Sequence, residues 1–230
     1  IGVLGGMSNQ ATAEYYRLLN AETNRRLGGW EIAETVIVGV NFGNIEHFVR
    51  NNSWTEAGEY LAAKALATQH AGADFLICVS NTMHRVAPRF TRDLQIPFIH
   101  IADPTGIAMR DAGVRRVGLL GTRPVMEAAF LKDYYSTKFG IEIMVPDKGE
   151  QTEVDRIIFN ELVRGQLLDK SRATYVDVCE RLHARGAEGI VLGCTEIFLL
   201  LGQDDLPDIP LFDTTSLHVK AAVEFAHAKA

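Results

Sequence analysis

The chain has no apolar stretch approaching the ~20 residues that a helical membrane span requires, so no role as a helical membrane protein is expected. Its three cysteines, Cys78, Cys179 and Cys194, are odd in number and widely spaced, which excludes a disulfide framework. No CxxC pair or His/Cys cluster has metal-ligand spacing, so no metal site is expected. Basic residues are too few for a nucleic-acid partner: 23 Lys and Arg stand against 29 Asp and Glu, a net charge of −6. An anionic ligand must then be held locally, by helix N-termini and a few placed side chains. No Gly-Lys-Ser/Thr loop and no GxGxxG follows a strand, which leaves ATP and dinucleotide sites without support. The opening run Ile1–Leu4 reads as a strand and not as a basic segment followed by an apolar one, so a secretory leader is not expected there. A reduced, cytoplasmic setting is the simplest expectation.

What the chain does contain is itself, twice. Gly72-Ala73-Asp74 leads through an apolar run to Ser80, and Gly186-Ala187-Glu188 leads through another to Cys194. The early run Ile1-Gly2-Val3-Leu4-Gly5 is matched by Val117-Gly118-Leu119-Leu120-Gly121. Ile96-Pro97-Phe98 is matched by Ile209-Pro210-Leu211. Two similar halves imply two lobes of ordinary domain size, related by a pseudo-dyad, with the active site in the cleft between them. The expected boundaries are 1–103 plus 213–230 for the N-terminal lobe and 104–212 for the C-terminal lobe.

Short apolar runs alternate with longer helix-like segments. Strands are expected at Ile1–Leu4, Thr35–Val40, Phe75–Val79, Phe98–Ile101, Val117–Leu120, Glu142–Val145, Gly189–Leu192 and Leu211–Phe212. Most are continuously apolar, as strands buried on both faces of a parallel sheet must be. Helices are expected at Thr12–Arg26, Trp54–His70, Pro104–Ala112, Pro124–Phe139, Thr152–Arg164 and Ser171–Arg185. The pattern predicts an α/β fold with two pseudo-symmetric, doubly wound lobes, each a mainly parallel sheet flanked by helices. Such folds bind ligands at the carboxyl ends of their strands. Gly5-Gly6-Met7-Ser8, Ser80, Gly121-Thr122 and Cys194 all fall there.

Cys194 follows a buried strand and precedes a helix start, a place that lowers a thiol pKa. Cys78, in mid-strand, and Cys179, on a helix, suit the commoner fate of a buried structural thiol. Ser80, taken by residue type, would simply cap the next helix; its alignment with Cys194 favours a catalytic position. Asn81, Thr82, Thr122 and Thr195 are candidate donors to a carboxylate. Asn41 ends the second strand, and Arg50 lies in a polar loop region beyond it, where a solvated charge is the commoner role. His84 is expected on a helix surface.

In order and spacing, Gly5-Gly6-Met7-Ser8, Ser80-Asn81-Thr82-Met83-His84, Leu119-Leu120-Gly121-Thr122 and Gly193-Cys194-Thr195-Glu196 resemble the aspartate/glutamate racemase family across essentially the whole chain. The resemblance implies racemisation of acidic amino acids with no cofactor. One group per lobe takes or returns the Cα proton, and by position these are Ser80 and Cys194. Met7, Ser8, Gln10, Asn41, Arg50, Asn81, Thr82, Thr122, Thr195 and Glu196 are the candidate substrate-binding residues. Glu196 resembles the aspartate branch. Members of the family commonly dimerise, so a homodimer is an expectation.

Ser80 departs from the family, whose usual first base is Cys. A hydroxyl is a far weaker acid than a thiol and supplies almost no alkoxide at neutral pH. A natural hydroxyl subgroup, a Cys→Ser variant, or one-thiol chemistry of the arylmalonate decarboxylase or maleate isomerase kind all fit. No Lys or Arg aligns cleanly with those that hold the aspartate side chain, Arg50 and Arg164 lying near. Aspartate, glutamate and a broad acidic range therefore stay open. A non-catalytic small-molecule sensor with a two-lobed cleft is the reading from another class.

Overall fold

The structure, a computed structural model, describes residues 1–228. The lobe expected over 1–103 and 213–230 thus ends on two residues, 229 and 230, that lie outside those described. The chain divides into two units, Ile1–Ile101 with the segment from His218 onward, and Ala102–Leu217.

Unit one runs β1 (Gly2–Gly5), α1 (Asn9–Leu27), β2 (Val36–Gly39), α2 (Phe42–Arg50), α3 (Trp54–His70), β3 (Leu76–Cys78), a 3-10 turn (Thr82–Val86), α4 (Ala87–Phe90) and β4 (Phe98–Ile99). Unit two runs α5 (Ala102–Asp111), β5 (Arg116–Leu120), α6 (Arg123–Glu127), α7 (Ala129–Phe139), β6 (Glu142–Met144), α8 (Lys148–Asn160), a 3-10 turn (Leu162–Arg164), α9 (Asp169–Ala184), β7 (Ile190–Leu192), α10 (Ile197–Leu200), a 3-10 turn (Gln203–Asp205) and β8 (Leu211–Asp213). The last helix, α11 (Thr214–His227), follows.

The sequence repeat is a repeat of topology. One sheet has the order β2-β1-β3-β4 and the other β6-β5-β7-β8, and every pairing is parallel. The ladders agree bond for bond. The Gly2 amide donates to the Phe75 carbonyl at 2.9 Å, and the Gly118 amide to the Gly189 carbonyl at 2.9 Å. Leu76 donates to Pro97 at 2.8 Å, and Ile190 to Pro210 at 2.8 Å.

Neighbouring strand residues face opposite sides of a sheet, and here each side has its own core. In β3, Leu76 and Cys78 enter a cluster with Leu61 of α3 and Phe90 of α4, while Ile77 enters one with Tyr15 of α1 and Val223 of α11. In β7, Ile190 and Leu192 join Val178 of α9, while Val191 joins Met109 of α5 and Tyr135 of α7. Covering both faces is what made these strands read as continuous apolar runs. The edge strand β2 is the exception, with alternating burial and Ile37 exposed.

All eight expected strands are present, most with ends shifted by a residue or two. The helix expected over Thr152–Arg164 is α8 followed by the 3-10 turn Leu162–Arg164, and three further helix expectations change. The stretch taken as a polar loop around Arg50 is helix α2, which buries Ile45 and packs Phe42, Phe48 and Val49 on the α3 side of the core. The single helix expected over Pro124–Phe139 is broken at Ala128, whose backbone is extended. The break serves two partners, since α6 packs on α8 while α7 packs on α5 and β6. Helix α11 was not anticipated. Among the described residues no helix is long and apolar enough to cross a membrane.

Candidate active site

In a sheet ordered 2-1-3-4, the connections leave β1 and β3 in opposite directions, and a crevice opens outside their carboxyl ends. The candidate residues of unit one gather on these ends. Gly6 turns the chain after β1 with φ +86°, and a Cβ there would lie 2.3 Å from the Val40 carbonyl oxygen. Only glycine meets both demands. The Met7–Ser8 peptide is cis. Met7 is buried in the α3-side core, and Ser8 caps α1, its Oγ accepting the Ala11 amide at 3.2 Å. Gln10, half-buried, is in the first turn of that helix.

Past β3, the Val79 amide donates to the Leu4 carbonyl at 3.0 Å, which ties the Ser80 segment to β1. Ser80 is 7% exposed, and its Oγ accepts the Met83 amide at 3.3 Å. The capping role suggested by residue type is therefore real. It occupies an Oγ lone pair and leaves the hydroxyl able to donate its proton. Asn81 and Thr82 follow directly and open the 3-10 turn.

His84 is not on a surface. It is 2% exposed, its Nδ1 lies 2.7 Å from the Ser80 carbonyl oxygen, and its Nε2 accepts the Ile101 amide at 3.1 Å. A carbonyl only accepts and an amide N–H only donates, so the ring is neutral with its proton on Nδ1. Burial, with His100 and His218 close by, holds its pKa well below the usual histidine value. The expected strand Phe98–Ile101 stops at Ile99 because the Ile101 amide goes to this ring and not to a ladder.

Of the remaining unit-one candidates, Asn41 is on the same edge, past β2 beside the Gly6 turn, and Arg50 is away from it. Asn41 follows β2 and caps α2, its Oδ1 accepting the Gly43 amide at 3.0 Å. Arg50 is at the other end of α2, about 13 Å further along the helix. Its exposed side chain is ion-paired with Glu46. A cavity of about 470 Å³ beside the Gly6 turn is lined by residues such as Asn9, Thr12, Tyr16, Ile37 and Val40, and not by Ser80.

Unit two presents the matching edge. After β5, Thr122 is buried and starts α6, its carbonyl accepting the amides of Val125 and Met126. After β7, the Gly193 amide donates to the Leu120 carbonyl at 2.7 Å, the counterpart of Val79 on Leu4. Cys194 comes next, two residues past its strand as Ser80 is past β3. Its Sγ donates to Glu196 Oε2 at 3.0 Å, and Thr195 Oγ1 donates to the same oxygen at 3.0 Å. Glu196 is 2% exposed. Burial, first, and then the Glu196 carboxylate push the Cys194 thiol pKa well above its usual value. This reverses the lowering expected from a helix start. Helix α10 has only four residues, too short a dipole to offset a buried carboxylate two positions away. Cys78 and Cys179 are fully buried core thiols, and both pKa values are raised by burial.

Sequence reasoning did not single out the end of β8. Asp213 caps α11 by accepting the amides of Thr215 and Ser216, and Thr214 Oγ1 donates to the Leu192 carbonyl at 2.8 Å. The run Asp-Thr-Thr-Ser carried the signal for a helix cap. Among the described residues no group of three His, Cys, Asp or Glu side chains could hold a metal ion.

Two parallel sheets of the same order, each with polar residues past its second and third strands in that order, define a duplicated α/β fold. The family model described as Asp/Glu/Hydantoin racemase matches residues 4–222, and the chain belongs to that family. Its class is that of an isomerase, an amino-acid racemase. The chain is 39% identical to a candidate Asp/Glu racemase from Yersinia pestis, covering 98% of this chain and 97% of that one with a TM-score of 0.89. It is 31% identical to an aspartate racemase homologue from Pyrococcus horikoshii OT3, with coverage of 98% and 97% and a TM-score of 0.84. A glutamate racemase isoform from Bacillus anthracis, 15% identical, shares the fold, with a TM-score of 0.71 over 100% of this chain and 82% of that one.

Proposed function

We propose that the protein racemises aspartate, glutamate or both by proton transfer at Cα without a cofactor, with Cys194 serving one face and Ser80 the other. One observation carries this reading. Ser80 and Cys194 occupy the same place in two sheets of identical order, each two residues beyond the third strand in its sheet's order. The names of similar proteins, an Asp/Glu racemase and an aspartate racemase homologue, support the acidic substrate. A cytoplasmic enzyme acting on a small amino acid, as a homodimer, completes the reading.

Inverting a stereocentre takes a proton from one side and returns one to the other. The Cys194 thiolate removes the Cα proton, and the electron pair of the C–H bond passes into the substrate carboxylate. Donors placed around that carboxylate stabilise the enediolate-like charge; Asn81, Thr82, Thr122 and Thr195 are the groups proposed. Ser80 then donates its hydroxyl proton to the opposite face, and after product leaves the proton gained by Cys194 passes through water to the Ser80 oxygen, which restores both groups. In the reverse direction Ser80 would have to act as an alkoxide, which is hardly available at neutral pH. Cα exchange is therefore fast for the enantiomer whose Cα–H faces Cys194 and slow for the other, while inversion is limited by Ser80 in both directions.

The test is proton NMR of the L and D forms of aspartate and glutamate with the protein in D2O, with Cys194→Ala as control. Exchange at Cα with appearance of the other enantiomer, absent in the control, is expected. No exchange with any of the four would overturn the reading, and CO2 release from a substituted malonate would move the assignment to a one-thiol decarboxylase.

A further inference from the structure

Ser80 is the weaker acid of the proposed pair, so its contribution depends on where its hydroxyl is held. A misplacement of about 1 Å at a reacting group costs on the order of a hundredfold in rate. Behind Ser80 runs a buried chain of polar groups, and two histidines carry it. We propose that His84 and His218 are positioning residues for the reaction, holding the Ser80 main chain where its hydroxyl reaches Cα. This rests on the reading of Ser80 as the proton donor to one face.

The chain starts on α1 and ends on Ser80, wholly within unit one. Tyr15, His218 and His84 are all buried. Tyr15 Oη lies 3.0 Å from His218 Nδ1, and His218 Nε2 lies 2.9 Å from the Ile99 carbonyl oxygen. A carbonyl only accepts, so Nε2 carries the proton, and Nδ1 of the neutral ring accepts the tyrosine hydroxyl. Two residues past Ile99, the Ile101 amide donates to His84 Nε2 at 3.1 Å. Nδ1 of that ring then donates to the Ser80 carbonyl at 2.7 Å. Each ring has its proton on the nitrogen that faces a carbonyl, and the other tautomer would break that bond. The His84 ring is also held from the side, its centroid 4.4 Å from that of His100 and 5.5 Å from that of Phe98. No proton moves along the chain; it is a brace.

Two further observations tie this brace to the task of Ser80. Ile101 is the last residue before the chain leaves unit one, and His218 is the first after it returns. The ring pair that holds Ser80 therefore also holds the roots of both crossings. Unit two has no histidine at the matching place. His84 lies four residues past Ser80, and four residues past Cys194 stands Phe198. A phenyl ring has no polar atom with which to grip the Cys194 carbonyl. The brace belongs to the half whose reacting group is a hydroxyl, where position counts for most.

The test follows two rates in one D2O reaction of the full chain with the L and D forms of aspartate and glutamate. Exchange with retention reports Cys194 alone, and inversion reports Ser80 as well. Replacing a merely structural histidine lowers both together, by lowering the folded fraction. His84→Gln keeps an acceptor for the Ile101 amide and loses the donor to Ser80. Its inversion should fall about a hundredfold while retention exchange stays within about threefold. His84→Asn keeps that donor and should recover at least about tenfold. His218→Asn withdraws the donor from Ile99 and should lower inversion about tenfold, and His218→Gln, which keeps it, should restore it. Unchanged inversion in His84→Gln or His218→Asn, or equal loss of both rates, overturns the proposal. Where the histidine variants do not fold, Tyr15→Phe decides, since it removes a single hydroxyl. A fall in its inversion of at least about threefold at constant retention exchange supports the brace, and no fall overturns it. If wild type exchanges none of the four amino acids, the racemase reading fails, and amide hydrogen exchange decides the brace. The Met83 amide, which donates to Ser80 Oγ, should then exchange about tenfold faster in His84→Gln, with the Gly193 amide of unit two unchanged. An unchanged Met83 amide overturns the proposal.

Discussion

The imidazole of His84 lies 2.7 Å from the Ser80 backbone carbonyl and fixes that residue's main chain from below. Its other nitrogen reaches the Ile101 amide, so one neutral ring ties the end of β3 to the end of β4. His218 continues the connection within the same unit, accepting from or donating to Tyr15 Oη at 3.0 Å and contacting the Ile99 carbonyl at 2.9 Å.

This ring makes the protein acid-sensitive. The folded-state pKa of His84 is depressed, so its contribution is present above the unfolded value near 6.5 and is lost as pH falls below it. Stability should drop between about pH 7 and pH 5, because in that range the imidazole takes up a proton only in the unfolded chain. His84→Asn should lower stability at pH 7 and flatten that drop. Urea unfolding midpoints across the range check both.

Cys179 acts at the alkaline end. Its pKa is pushed up to about 12, chiefly by burial, from an ordinary value near 9. A raised value means that stability is full below pH 9 and is lost as pH climbs toward 12, because only the unfolded thiol ionises. The slope from this residue is about 1 kcal/mol per pH unit. Unfolding of wild type and Cys179→Ala at pH 8 and pH 10.5 should show the smaller loss in the variant.

Ser80 sets the asymmetry of the proposed reaction. Ser80→Cys should speed inversion from both enantiomers by on the order of a hundredfold, since a thiolate replaces an unavailable alkoxide. Ser80→Ala should leave deuterium exchange with retention while inversion falls away. Chiral chromatography of reactions started from each pure enantiomer separates these outcomes.

Gly6→Ala should cost about 2 kcal/mol or more. Its positive φ and the 2.3 Å approach of the new Cβ to the Val40 carbonyl oxygen act together. A lowered urea midpoint with an unchanged m-value would confirm a local clash with no change in compactness.

The strands were legible in the sequence because the inner ones are sandwiched between two cores, as at Leu76-Ile77-Cys78, and leave continuous apolar runs. Helix α2 was not, because asparagines at 41, 44, 51 and 52 mask a short amphipathic stretch around Ile45. At the proposed site, the internal repeat put Ser80 and Cys194 at matched positions past β3 and β7, as the two sheets have them, but the helix-start argument gave the wrong sign for the thiol. The sign depends first on burial and then on where the Glu196 carboxylate turns, and spacing encodes neither. His84 was misplaced for a similar reason: its partner Ile101 is seventeen residues away and lies beyond any periodic pattern.

Helix α11 supplies Val219, Ala222 and Val223 to the core that Val3, Tyr15 and Ile77 began. Unit two is continuous in the chain, but unit one is interrupted by all of it. On a ribosome, the part of unit one that precedes unit two therefore waits with one face of its sheet partly uncovered until α11, which follows unit two, emerges. The usual order, in which an N-terminal unit folds ahead of the next, is reversed. The second-made unit is the one free to mature during synthesis, and a stalled or truncated chain would strand an apolar surface of the first.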